Sequence, residues 1–178
     1  MTFPSDFTWG VATSSYQIEG SPLADGAGLS NWHRFALERG RIVNDDHGET
    51  ACDHYRRSHD DVALIKELRA HPTLCHPAPP LHHWDLPATL EDHGGWLNRD
   101  TAYRFADFTE IMTRALDGQI QDWYTFNEPW VIMHEGYVNG AHPPGLHSAP
   151  SGSILALRLG DMPLCFDAEG NALDRRTS

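Results

Sequence analysis

A chain of 178 residues with a formal charge of -12 and a pI near 5.3 is long enough for one domain with its own core. It is shorter than the roughly 200 residues that the smallest complete eight-stranded α/β barrels need. No run of Lys and Arg interrupts the acidity, so a phosphate-gripping surface, and nucleic acid as a partner, are excluded.

The N-terminal segment "MTFPSDFTWG" has neither a basic stretch nor a long apolar run, which predicts no signal peptide and no membrane span. Cys52, Cys75 and Cys165 are odd in number and form no C-x-x-C pair, as expected for reduced thiols in the cytoplasm. The 12 histidines include no H-E-x-x-H and no Cys/His zinc spacing, so neither a metal nor a cofactor is expected.

In "FTWGVATSSYQIEG", residues 7–20, Phe7, Trp9 and Val11 alternate with smaller residues, which predicts a strand running into the polar cluster Ser15, Tyr16 and Gln17. "EGSPLADGAG" reads as loop. "DHYRRSHDDVALIKELR", residues 53–69, predicts a helix with a buried stripe of Tyr55, Ser58, Val62, Ile65 and Leu68. Arg56 with Asp60, and Arg57 with Asp61, have the spacing of one-turn ion pairs. "AHPTLCHPAPP", residues 70–80, has too many prolines for a helix and is a poor central strand. "LHHWDLP" then crowds aromatic and ionisable residues together.

A second helix is predicted over residues 98–118. Ala102, Phe105, Phe108, Met112 and Leu116 form its stripe, Asn98 or Asp100 caps it, and Gly118 takes the left-handed C-terminal position. "IQDWYTF" is a short strand stopped by Pro129, "WVIMHEGYVNG" begins a helix, and "AHPPG" is a rigid loop. The stretch after Ser148 carries no site chemistry and reads as a strand or hairpin tail. Alternating strands and helices predict an α/β fold of parallel βαβ units. In that fold Ser15 to Gln17, His83 to Asp85, and Asn127 with Glu128 all fall where strands end, the catalytic face of a β/α barrel.

Five segments, "FTWGVATSSYQIEG", "ACDHYRRSHDDVALIKEL", "HHWDLPATLEDHGGWLNRDTAYRFADF", "WYTFNEPW" and "GYVNGAHPPG", resemble glycoside hydrolase family 1, the β-glucosidase family, in the family's order. The likeness runs over residues 3–70 and 81–147. It implies a (β/α)8 TIM barrel that hydrolyses terminal β-glucosidic bonds with retention and without a metal. It implies Glu128 as general acid/base, Asn127 on the sugar 2-hydroxyl, Gln17 and His83 on other hydroxyls, and Trp84 and Trp130 as walls. The chemistry fits these residue types. A glycosidic oxygen leaves only when protonated, hydroxyls need amide and imidazole partners, and aromatic faces complement the apolar face of a pyranose. The expected ligand is a small β-glucoside or short oligosaccharide.

Two departures stand out. The family's Thr-Glu-Asn-Gly motif, which carries the nucleophile, does not occur here, and neither does its Tyr-Arg-Phe-Ser strand after the first helix. "AYRFADF" belongs to the second helix. The expectation is therefore a partial barrel, residues 1–147, that is internally deleted and C-terminally truncated, followed by a divergent tail, residues 148–178. Asp85 is the speculative replacement carboxylate, and Glu135 points the wrong way. Unpaired sheet edges predict self-association. The alternative function is a non-catalytic glucoside-binding remnant or an inactive fragment.

Overall fold

The computed structural model describes residues 4, 13–69, 80–118, 120, 123–147 and 165–166. The expected strand at Phe7, Trp9 and Val11, the proline-rich residues 70–79 and most of the tail lie outside the described residues. Six helices and three strands run in the order α1 (Ser15–Ile18), α2 (Asn31–Leu37), α3 (His54–Arg69), β1 (Pro80–His82), α4 (Ala88–Asp92), α5 (Arg99–Ala115), β2 (Trp123–Phe126), α6 (Pro129–Val131) and β3 (Cys165–Phe166) among the described residues. Three 3₁₀ turns accompany them, and α6 continues as a π-helix over Ile132–Val138.

The sheet has the order β1-β2-β3. β1 and β2 are parallel, with Pro80 opposite Tyr124 and His82 opposite Phe126. The connection between them passes through α4 and α5, so the predicted α/β organisation holds. β3 closes the other edge of β2 in the antiparallel sense, through Trp123 opposite Phe166 and Tyr124 opposite Cys165. Pro80 is tolerated because it opens its strand, where a missing donor costs least.

The core lies between β1, β2, α5 and the π-helix. Leu86, Trp96, Phe105, Phe126, Ile132, Met133 and Tyr137 form one buried cluster. The rings of His82, Trp96, Phe105 and Phe126 meet mostly edge to face, with the His82 and Trp96 centroids 5.0 Å apart. That geometry adds to the area the rings bury. α5 docks with Thr101 and Phe105 buried. Asn98 caps it by accepting from the Asp100 N–H at 3.0 Å, and Gly118 is left-handed at φ +72°, both as the sequence indicates. Phe108 differs from its expected place in the stripe. It is 43% exposed, because the buried face turns toward Thr101 and Phe105.

Three further expectations meet the structure differently. Ser15, Tyr16 and Gln17 lie on a helical turn, since Ile18 and Glu19 donate back to the carbonyls of Ser14 and Ser15, and the strand expected to lead into them is outside the described residues. Of the expected α3 stripe, Tyr55 and Val62 are exposed and Ser58 and Ile65 are half-buried. The expected Arg56–Asp60 and Arg57–Asp61 pairs give way to others. His54 takes Asp61 at 2.7 Å, and Arg56 lies 3.6 Å from Asp53.

Candidate functional site

The site is built where β1 and β2 end side by side. The ladder runs one residue past the strands, with Asn127 N–H donating to the His82 carbonyl at 2.9 Å. That bond sets Asn127 beside His83. The Asn127 Nδ2 amide lies 3.4 Å from His83 Nε2 and 3.4 Å from Glu128 Oε2. One NH₂ group thus reaches both the imidazole and the carboxylate. Both contacts sit at the long end of hydrogen bonding, as in sites that tighten only around a ligand.

Trp84 locks the two strand ends together, its indole Nε1 donating to the Asn127 carbonyl at 3.0 Å. Trp84 and Glu128 both hold left-handed backbones, at φ +67° and +46°. Such conformations are uncommon for residues with a side chain, and six further described residues, all between 21 and 53, share them. Burial lowers the pKa of His83, while the nearby Glu128 carboxylate works in the opposite direction. The Nδ1 of His83 is buried and has no hydrogen-bond partner among the described residues.

Aromatic side chains extend this wall. Trp84 stacks with Trp32 at 6.4 Å between centroids, and Trp32 stacks with Tyr16 at 6.2 Å. His142 tilts over both indoles, 5.1 Å from Trp32 and 5.3 Å from Trp84. The turn that carries Gln17 is therefore anchored to the site through its neighbour Tyr16. Gln17 itself is exposed and accepts a hydrogen bond from the Ser14 hydroxyl. Trp130 is 65% exposed and stacks on His134, so the structure does not join it to the cluster. Glu128 is exposed, and Asn127 is half-buried.

Two neighbouring carboxylates are engaged elsewhere. Asp85 accepts from the Trp32 N–H at 3.3 Å, and burial pushes its carboxyl up to about 6 against hydrogen bonds from Ser30 and Trp32. Glu135 accepts from Asn139 at 2.6 Å and pairs with His134 at 2.8 Å. His82 is a core residue, 5% exposed, and burial pushes its imidazole down to about 3. No group of three His, Cys, Asp or Glu that could hold a metal occurs among the described residues. No helix among them is long and apolar enough to cross a membrane.

Trp32, His142 and Asn31 went unnoticed in the sequence. They come to the site through loops and a seven-residue helix, which leave no periodic pattern. The loop holding His142 is folded back by His142 N–H to the Glu135 carbonyl (3.0 Å) and Leu146 N–H to the Gly136 carbonyl (2.9 Å).

The sequence model of the family described as "Glycosyl hydrolase family 1" matches residues 1–75 and 71–155. A 1,4-beta-D-glucan glucohydrolase of Thermotoga neapolitana is 38% identical over 179 residues, a match that covers 81% of this chain and 42% of that protein. Beta-glucosidase A of Thermotoga maritima is likewise 38% identical, with 81% of this chain and 40% of that protein covered. The solved beta-glucosidase from Thermotoga maritima in complex with glucoimidazole superposes with a TM-score of 0.79 at 35% identity, covering 88% of this chain and 44% of that one. The chain thus spans less than half the length of the relatives it matches. Each sequence match is longer than the part of this chain it covers, so the relatives carry residues inside the span that this chain lacks. The two matched blocks meet at residues 71–75, in the proline-rich stretch where the pattern breaks. With the family model matched over most of this chain and the fold shared with solved members, the chain belongs to glycosyl hydrolase family 1.

Proposed function

We propose that this chain carries the acid and sugar-holding part of a β-glucosidase-type site that acts by retaining hydrolysis. The observation that carries the reading is the Asn127 amide, 3.4 Å from both the His83 imidazole and the Glu128 carboxylate at the ends of adjacent parallel strands. In this reading Glu128 protonates the glycosidic oxygen. Asn127, His83 and Gln17 take sugar hydroxyls, Trp84 backs the ring, and Trp130 lies at the outer rim. No metal or cofactor is called on. Residues 1–147 act as one unit, the tail from 148 onward contributes no chemistry, and the setting is cytoplasmic carbohydrate metabolism.

Retaining hydrolysis needs a second carboxylate about 5 Å from the acid. Asp85 and Glu135 are both committed to other partners, which favours a second reading: the chain holds a β-glucoside without turning it over.

The test is nitrophenol release from an aryl β-glucoside by the purified chain and its Glu128→Gln variant. Turnover by the parent and a loss of at least about 100-fold in the variant support the catalytic reading. Silence in both, with a measurable glucoside affinity that falls on His83→Ala, supports binding alone. Equal activity in both removes Glu128 from the chemistry.

A further inference from the structure

The geometry points to Glu91 as a positioning residue that holds the two strand ends of the proposed sugar site at their working separation. Glu91 lies outside that site and is 9% exposed. Its two oxygens serve two different elements. Oε1 accepts from the Tyr137 hydroxyl at 3.0 Å, and Oε2 accepts from Asn31 Nδ2 at 3.2 Å.

Each partner leads to one side of the site. Asn31 grips Leu86 at two points, its Oδ1 accepting from the Leu86 N–H at 3.0 Å and its own N–H donating to the Leu86 carbonyl at 2.7 Å. Leu86 follows Trp84 by two residues, on the loop that leaves β1. Tyr137 belongs to the π-helix that continues from Pro129, immediately after Glu128. Its hydroxyl also accepts from the Trp96 N–H at 3.0 Å. The carboxylate is therefore the joint between the His83–Trp84 loop and the helix that starts behind Glu128.

An apolar residue would fill the same volume at lower cost, because a buried carboxylate is expensive to desolvate. Burial raises the Glu91 pKa, and the nearest guanidinium, Arg34, is itself ion-paired with Asp92 at 2.5 Å. What the carboxylate supplies is two acceptor oxygens in one plane, facing donors from separate elements. Gly95 preserves the space. A Cβ there would come 2.2 Å from Glu91 Oε1 and 2.4 Å from the Tyr137 hydroxyl.

This role rests on the sugar-site reading, and the Trp84 indole gives an internal reporter because its N–H bonds Asn127 across the two strand ends. The experiment follows the Trp84 indole N–H resonance, assigned by Trp84→Phe, together with the affinity for methyl β-D-glucoside, in Glu91→Gln. Met112→Ala, at a half-buried residue farther along α5 and outside the network, matched for loss of Tm, serves as control. Glu91→Gln should move the indole resonance and weaken the glucoside about fivefold, the scale of one lost buried hydrogen bond. Met112→Ala should do neither. If Glu91→Gln lowers Tm but leaves both readings at parental values, or if the control shifts them equally, Glu91 is a structural staple and the assignment falls. Should Glu91→Gln fail to fold, Tyr137→Phe, which removes only the hydroxyl link, is judged by the same readings. If the parent binds no glucoside, the sugar-site reading fails, and the indole resonance alone decides whether Glu91 positions the strand ends.

Discussion

Four consecutive residues, His82 to Asp85, pass from core to site, and two of them titrate in opposite senses. Burial pushes His82 down to about 3 from an ordinary 6.5, with the neighbouring His83 adding to the effect. An imidazole of this kind contributes stability above pH 6.5 and loses it as pH falls toward 3. Asp85 is raised by burial from 3.8 to about 6, so its contribution is present below pH 3.8 and is lost as pH rises through about 6. Between those two values the slopes oppose each other. Asp85→Asn, which can still accept from the Trp32 N–H, should leave stability rising with pH across that window, with a gain over the parent of about 1–2 kcal/mol at neutral pH. His82→Phe, which keeps the edge-to-face packing and removes a buried nitrogen that has no partner among the described residues, should leave stability falling with pH across the same window. Urea denaturation from pH 4 to 7 checks both, and parallel curves for the parent and both variants would contradict the account. Asn127, Glu128 and His83 were offered by the sequence through the resemblance of their short segments, and the structure brings the three together at adjacent strand ends. Asn31, Glu91 and Tyr137 were not, because a network joining three elements 46 to 60 residues apart leaves no local pattern.

Among the elements, α3 and α5 show what periodicity can and cannot tell. Both were legible as helices. α5 buries Thr101 and Phe105 against the core, whereas α3 leaves Tyr55, Val62 and Leu64 exposed. A periodic stripe reports which face of a helix is apolar and not whether anything covers that face. The exposure of Tyr55 and Val62 on α3 fits the relatives' extra residues inside the matched span, which this chain lacks. The helix after Glu128 was legible as a helix, and its π-turn was not. There Asn139 N–H reaches the His134 carbonyl, five residues back, at 2.7 Å. Gly136 lies in this segment, and a Cβ on it would come 2.5 Å from the Pro143 carbonyl oxygen. That backbone is held by the Leu146 and His142 hydrogen bonds and cannot give way as a side chain would. Gly136→Ala should cost about 1–3 kcal/mol, read as a lower urea midpoint, and should loosen the loop that carries His142 over Trp84. An unchanged midpoint would mean that the loop is free to shift.

At the scale of the whole molecule, acidity and uncovered apolar surface pull against each other. Tyr103, Phe108 and Ile111 on α5 are 59%, 43% and 64% exposed, and Val62 and Leu64 on α3 are 43% and 57% exposed. Large apolar side chains left in water on two helices favour association. A net charge of -12 on each copy opposes it over distances of about 10 Å at 0.1 M salt, and less as salt rises. The sign of the salt effect therefore identifies the driving force. If like-charge repulsion is all that holds copies apart, the sedimentation-average mass should rise with ionic strength. Ion pairing between copies would make it fall. Replacing Leu64 and Ile111 together by Glu removes apolar area from both helices and adds charge, so it should keep the chain monomeric at about 0.5 M salt, where the parent associates, without changing glucoside binding. If the parent stays monomeric throughout, these faces are tolerated in water as they stand. If the variant associates as the parent does, the contact lies elsewhere, and the edges of the three-stranded sheet become the surface to examine.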